Sequence, residues 1–339
     1  MLSFRWTGWD RRVLSFCRRP VSSGAAIDLG ESYLLDRIRA RELVSRAPVD
    51  SPNKWFDNCG EPFLALDCVM ALGNRMTDED QLILADRLLQ SQRMGAWAYA
   101  PEWGGIDADT TASAMRALDR IGHKVSLTGL NLFFNPTTGL YNTFHDPAFV
   151  DPELGLQLPP QTLKKHLGSH PCVLANVYLL LRERDQLSDL SHELLARMQK
   201  PDGNWFSYFY PSRLYATRLF TELLTSLGER YDRYMQSTLD AMLACAPMGS
   251  ATQDAEVLIS LCHLQRPFAA ERQPIDEKAS GVVERILAAQ SGDGSWPGEA
   301  IWEYFDEVTP VLVGFDHFRV RSTALCTRAL KLWMQPAQR

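Results

Sequence analysis

With 339 residues, a formal net charge of −6 and a pI near 5.7, the chain can bury a large core and carries no broad basic field, which argues against a nucleic-acid partner. No uninterrupted apolar run approaches the ~18 residues that a membrane-spanning helix needs. The seven cysteines (17, 59, 68, 172, 245, 262 and 326) are odd in number, widely spaced and free of any CxxC or Cys/His cluster. That usage predicts reduced thiols in a cytoplasmic protein and no structural zinc.

Residues 1–28 read as an N-terminal arm. MLSFRWTGWDRRVLSFCRRP mixes Arg5, Arg11, Arg12, Arg18 and Arg19 with Trp6, Trp9, Leu14 and Phe16. Three readings stand: an arm packed across the body, peripheral contact with a membrane surface through aromatic and basic side chains, or an Arg-rich transit peptide. Residues 29–339 read as one domain with almost no strand signal, because no Asn-Gly or Asp-Gly turn separates alternating apolar runs.

Helical spacing dominates that domain, and the helices fall into six pairs. The first two are 31–45 with 60–73 and 79–92 with 108–122, Thr77–Asp80 supplying the cap and the acidic first turn of the third helix. A weaker helix at 124–134 leads through a Pro/Gly/Asn-rich loop (135–169) to 171–184. The rest are 187–199 with 212–227, 230–245 with 252–265, and 277–290 with 320–334. Three pairs share one punctuation: Gln92 before Gly95-Ala96-Trp97, Gln199 before Gly203-Asn204-Trp205, and Gln290 before Gly294-Ser295-Trp296. Each tryptophan precedes a loop and then a Thr-containing helix start (DTTASAM, LYATRLF, VRSTALC). Helical hairpins recurring every 40 to 70 residues need their neighbours to bury their apolar faces. The expected fold is therefore all-α, a single (α/α)6 barrel with outer helices around inner ones. Trp97, Trp205 and Trp296 read as staples of that scaffold, and each glycine as the positive-φ end of an outer helix.

One repeat alone carries adjacent carboxylates: Asp107-Ala108-Asp109-Thr110-Thr111. Capping of a helix near Thr110 accounts for one of them and leaves the second unexplained. The string formally fits the DxDx[TV] start of a haloacid-dehalogenase-type phosphatase, but the preceding Pro101–Ile106 is no buried apolar strand. A carboxyl at a helix N-terminus has its anion stabilised by free N–H groups, which makes the protonated form a stronger acid, and a neighbouring carboxyl can share its proton. Protonating an alkene needs such an acid, and the carbocation that follows needs a dry cavity walled by aromatic faces. Candidate wall residues near loop ends are Trp55, Phe56, Trp103, Phe206, Tyr208, Tyr215, Trp302, Tyr304, Phe305, Phe315 and Phe318.

The DADTTA string, preceded by GAWAY and accompanied by three Q…G…W repeats, resembles class II terpene cyclases of the squalene–hopene cyclase type, whose acid motif is DxDD. The resemblance covers residues 90 to 334. It implies Asp109 as the proton donor, with Asp107 as its hydrogen-bonding neighbour, and Thr110 and Thr111 beside the substrate. Thr110 stands where the family usually has a third Asp, as in the DxDTT variant of bacterial drimane-type and meroterpenoid cyclases. In size the chain is most similar to the single-domain cyanobacterial merosterolic acid synthases, which cyclise a geranylgeranyl chain on a dihydroxybenzoate head. The implied substrate site includes Trp55, Trp103, Tyr215, Trp302, Phe315 and His317, with Arg213, Arg218 or Arg319 as further candidates for a carboxylated head. No cofactor and no obligate protein partner are expected, and magnesium only if the substrate is a diphosphate, for which no DDxxD motif exists.

Other helical barrels fit less well. Asn58-Cys59-Gly60-Glu61-Pro62 lacks the Gln of a complement-type thioester, no Asp-x-Cys marks a protein prenyltransferase, and Cys262-His263 alone is too little for a lanthipeptide cyclase. A glycosidase needs its two carboxylates across a cleft, roughly 5–10 Å apart. A non-catalytic helical-repeat scaffold predicts polar loops where this chain is rich in aromatics.

Overall fold

The computed structural model describes residues 22–44, 60–99, 105–145, 168–212, 214–306 and 309–335, with backbone only over 302–306 and 309–313. The helices alternate between an outer and an inner layer. Outer α1 (Ser23–Arg39) leads to inner α2 (Glu61–Leu72), α3 (Asp78–Gln90) to α4 (Ala108–Arg120), and the single turn α5 (Thr128–Asn131) to α6 (Pro171–Glu183). Then α7 (His192–Met198) precedes α8 (Leu214–Leu227), α9 (Asp232–Ala244) precedes α10 (Ala251–Leu264), and α11 (Arg272–Ala289) precedes α12 (Val320–Met334). Each inner helix packs on the next, and α12 returns to α2, so the ring is closed. This is an (α/α)6 barrel. The pairing anticipated from periodicity holds in all six units, with the third outer helix reduced to one turn.

Burial follows the layers. Along α4 every residue from Ala108 to Leu118 is buried, whereas α1 buries only Ala26, Gly30, Glu31, Leu34 and Ile38. A helix covered on all sides is an interior one, and a helix with one apolar stripe lies against a core. The first outer helix starts earlier than its apolar spacing indicated, because Ser22 caps it by accepting from Ala25 N. Thr77 and Asp80 form the reciprocal capping box of α3. No helix among the described residues is long and apolar enough to cross a membrane.

Two antiparallel hairpins correct the expectation of an almost strandless chain. β1 (Phe134–Asn135) pairs with β2 (Leu140–Tyr141), and β3 (Ala300–Asp306) with β4 (Thr309–Phe315). The second carries two register irregularities, and irregular pairing blurs the strict alternation by which strands are read from sequence. Both hairpins lie in loops that lead from an outer to an inner element.

The repeats are stapled as their punctuation predicts, with one refinement. Trp97, Trp205 and Trp296 are fully buried, and each donates its backbone N–H to a threonine hydroxyl of the following inner helix: Thr111, Thr217 and Thr323, at 3.0, 3.0 and 3.2 Å. Gln199 donates to the Tyr234 carbonyl on α9 at 2.9 Å, and Gln290 to the Ala26 carbonyl on α1 at 2.9 Å. The second and third of these repeats thereby grip the next outer helix, the last of them gripping the first helix of the ring. The glycines lie beyond the helix ends, which are capped by Ser91, Gln199 and Gln290. Their positive φ serves close approach: a Cβ on Gly203 (φ +82°) would stand 1.9 Å from the Ser237 carbonyl oxygen on α9.

Candidate active site

Three inner helices, α2, α4 and α6, bring their first turns to one end of the barrel, beside the loop that leads into α8. There a cavity of about 60 Å³ is lined by Phe63, Tyr99, Asp107, Asp109, Thr110, Thr143, Phe144, Val173, Phe209 and Tyr210. Its walls are aromatic, and its polar atoms come mainly from the start of α4. Phe63 meets Tyr99 and Tyr210 at ring-centroid distances of 5.7 and 6.1 Å, so the rings brace one another.

Asp107 is the N-cap of α4, its Oδ1 accepting from Thr110 N at 2.7 Å. Among the described residues, its buried Oδ2 and the buried Thr110 hydroxyl have no hydrogen-bond partner. Asp109 lies two residues on, within the first turn. Its Oδ2 accepts from the Tyr210 hydroxyl at 2.7 Å and its Oδ1 from Asn176 Nδ2 at 2.7 Å. Asp107 therefore does not act as the hydrogen-bonding neighbour of Asp109; Tyr210 and Asn176 take that place, and the two carboxyls interact through their charges.

Burial governs the acidity of both. Asp107 is pushed up to about 7, chiefly by loss of solvent, against the bonds from Thr110. Asp109 is raised to about 6 by the same cause, opposed by Tyr210, Asn176 and the more distant Arg321 and Arg116. Stabilisation at the helix N-terminus is real but does not win: the net direction is upward, the reverse of what the helix position alone implied. The consequence suits an acid. Asp109 holds its proton up to about pH 6, well above an ordinary aspartate, and the groups that will hold the anion are already in place.

The sequence-derived candidates divide. Asp107, Asp109 and Thr110 line the cavity. Thr111 is fully buried, and its hydroxyl belongs to the Trp97 staple. Tyr215 is stacked behind the cavity on Tyr210, with ring centroids 3.6 Å apart, under the Arg321 and Arg218 guanidiniums. Phe315 and His317 are exposed at the end of β4 and beyond, and neither lines the cavity. Trp55, Phe56, Trp103 and Arg213 lie outside the described residues, as do the side chains of Trp302, Tyr304 and Phe305. Arg218 is buried in an ion pair with Glu222 at 3.0 Å, and Arg319 faces Asp293 and Ser295.

Sequence reasoning missed Asn176, Tyr210, Phe63, Tyr99, Phe144 and Phe209. A signal existed for two of them. Asn176 is the one amide within the apolar run Pro171–Leu181, and Tyr210 ends the aromatic run Trp205-Phe206-Ser207-Tyr208-Phe209-Tyr210. Neither shows in sequence that it faces an aspartate 67 or 101 positions away.

No family model matches the chain, and no curated protein matches it by sequence. Among solved structures, the type II terpene cyclase MstE from Scytonema, bound to geranylgeranyl dihydroxybenzoate, is similar over 91% of this chain and 97% of its own, with a TM-score of 0.71 and 21% identity. A protein from Actinoplanes is similar over 93% and 100% of the two chains, with a TM-score of 0.71 and 19% identity. For ent-copalyl diphosphate synthase from Streptomyces platensis the shares are 79% of this chain and 49% of that one, with a TM-score of 0.55 and 18% identity. At such identities the likeness is one of fold: this chain shares its helical barrel with those structures.

Proposed function

We propose that the chain is a class II terpenoid cyclase in which Asp109 protonates the terminal alkene of a prenyl chain held in the aromatic cavity. The observation that carries this reading is a carboxyl buried among aromatic rings, its proton affinity raised by desolvation, with two hydrogen-bond donors on its oxygens. An alkene is barely basic, so the acid must yield an anion that is stabilised the moment it forms. Tyr210, Asn176 and the first turn of α4 supply that stabilisation. Protonation leaves a tertiary cation, which the neighbouring alkenes attack in turn, closing rings. Loss of a proton, or attack by an aromatic head group, ends the sequence with no net change in composition. The faces of Phe63, Tyr99, Phe144 and Phe209 can stabilise the cations without trapping them.

The substrate we favour is geranylgeranyl dihydroxybenzoate, the molecule bound to the Scytonema enzyme; the merosterolic acid A complex of that enzyme motivates a polycyclic product here. We place the protein in the cytoplasm, with the aromatic and basic residues 1–21 as a contact for a membrane surface. The reaction asks nothing of a metal unless the substrate is a diphosphate, whose charge would call for magnesium. The test is incubation with geranylgeranyl dihydroxybenzoate and, separately, geranylgeranyl diphosphate, followed by product analysis with and without chelator. Cyclic product from the benzoate in the presence of chelator is expected. Product from the diphosphate alone would transfer the reading to a prenyl-diphosphate cyclase of the drimane type. No product and no thermal shift from either compound would leave a non-catalytic helical-repeat protein.

A further inference from the structure

Two turns below Asp109 on the same face of α4 lies a second layer, which runs from the buried Arg116 out to Glu183 and Arg120 at the rim. Arg116, seven residues after Asp109, is buried and donates from Nη1 to Asn176 Oδ1 at 2.7 Å. Its Nε and Nη2 grip the two oxygens of Glu183, both at 3.0 Å. Glu183 stands seven residues after Asn176 on α6, so the pairs Asp109/Arg116 and Asn176/Glu183 run in step down two adjacent inner helices. Arg120 adds a bond from the rim, Nη2 to Glu183 Oε1 at 2.6 Å. The carboxylate of Glu183 is held below its usual range against its burial, by Arg116 and then Arg120.

An asparagine side chain is nearly symmetric in shape but not in chemistry. One end donates and the other accepts, and the surrounding groups decide which way it points. A guanidinium only donates, so Asn176 must turn its carbonyl oxygen to Arg116. Its NH2 then faces Asp109 Oδ1 at 2.7 Å, the Asp109 carbonyl at 3.1 Å and Ser113 Oγ at 2.8 Å, all of them acceptors. Because Oδ1 of Asp109 accepts from that NH2, the acidic hydrogen belongs on Oδ2, the oxygen that also meets Tyr210. With the amide reversed, its carbonyl would accept the acid's proton on the buried side, hiding it from the cavity and weakening the acid.

We propose that Arg116, clamped by Glu183, is a positioning residue that sets the orientation of the Asn176 amide and thereby puts the transferable proton of Asp109 on its cavity-side oxygen. The inference rests on the reading of Asp109 as the acid. It adds a role for the ion pair of buried Arg116 with the half-exposed Glu183, outside the residues that line the cavity. The charged and titratable groups around Asp109 are Asp107 and Arg116 on α4, Cys172 on α6, Tyr210 and Tyr215 at the start of α8, and Arg321 on α12. Of these, only Arg116 touches the amide.

The test is a double-mutant cycle on the full chain with geranylgeranyl dihydroxybenzoate. R116M/E183M removes the ion pair as a unit, so that no buried charge is orphaned and the local charge balance is kept. It is expected to lower kcat by about 10- to 100-fold with KM within about twofold, and to move the alkaline limb of the pH–kcat profile upward, because a free amide can accept the proton of Asp109. In an N176A background the same double change is expected to cost less than about twofold, since Arg116 then has nothing to orient. A kcat and a pH limb equal to those of the wild type, or an equal loss with and without Asn176, would overturn the proposal. Should R116M/E183M not fold, R116Q/E183Q carries the same test: it keeps polar side chains of similar size but removes the donor-only guanidinium from Asn176, and an unchanged limb would sink the idea. Wild-type turnover together with a dead D109N protein keeps the acid assignment standing if the cycle fails. Turnover by D109N would instead remove the acid assignment itself.

Discussion

Asp109→Asn separates chemistry from folding, because the carboxyl that the proposed reaction needs is one that the fold tolerates at a cost. Asp109 is held at about 6 instead of its ordinary 3.8, so ionising it costs about 3 kcal/mol more in the folded than in the unfolded chain. The sign follows from the raised value. The contribution of the neutral carboxyl to stability is complete below pH 3.8 and is lost as the pH rises through about 6. An asparagine has nothing to ionise and keeps the shape. Its amide can still accept from Asn176, but at least one of the two hydrogen bonds will be weaker, at about 1 kcal/mol. D109N is therefore expected to match or slightly trail the wild type at pH 4 and to exceed it by about 2 kcal/mol at pH 8. The assay is denaturant unfolding at several pH values, paired with turnover measurements. Turnover should fall by at least about 10²- to 10⁴-fold, the usual worth of a general acid, while the thermal shift given by the prenyl substrate persists. A stability difference independent of pH would refute the buried-acid argument. Full activity would refute the mechanism.

Two further outcomes follow from the same geometry. Tyr210→Phe keeps the ring against Phe63 and Tyr215 but deletes the donor on Asp109 Oδ2; kcat should fall about 10- to 100-fold, the worth of a hydrogen bond to a charged group. The alkaline limb of its pH–kcat profile should rise, because the bond from Tyr210 lowers the pKa of Asp109, and an unmoved limb would count against a direct bond in solution. Gly203→Ala, at φ +82° with its new Cβ 1.9 Å from the Ser237 carbonyl, should cost about 2–5 kcal/mol of stability without altering products in the folded fraction. A melting temperature equal to the wild type's would mean that the loop is not pinned to α9.

The helical pairs were legible because each rests on local information. Apolar spacing, a cap such as Thr77 with Asp80, and a glycine followed by tryptophan are all written within about fifteen residues. The three tryptophan staples were legible for a different reason: repetition exposes a shared structural task, and Thr111, Thr217 and Thr323 recur at matching places. The hairpin Ala300–Phe315 was not legible, since its pairing is irregular and no turn dipeptide marks it.

The start of α4 shows where the two kinds of information part. Asp107 and Asp109 could be picked out by their neighbours in sequence, and their place at a helix N-terminus followed. What they are as acids could not, because acidity depends on what excludes water and on which distant groups point inward. Burial inside the closed ring raises both carboxyls, against the direction that a helix N-terminus alone would give. The donors on Asp109 come from positions 176 and 210, on other inner elements. So the sequence by itself determined the repeating scaffold and the carboxylates placed on one of its units, since both are local patterns. Only the tertiary structure decided the ring closure, the partners of Asp109 and the sign of its shift, because these are long-range contacts made where solvent has been removed.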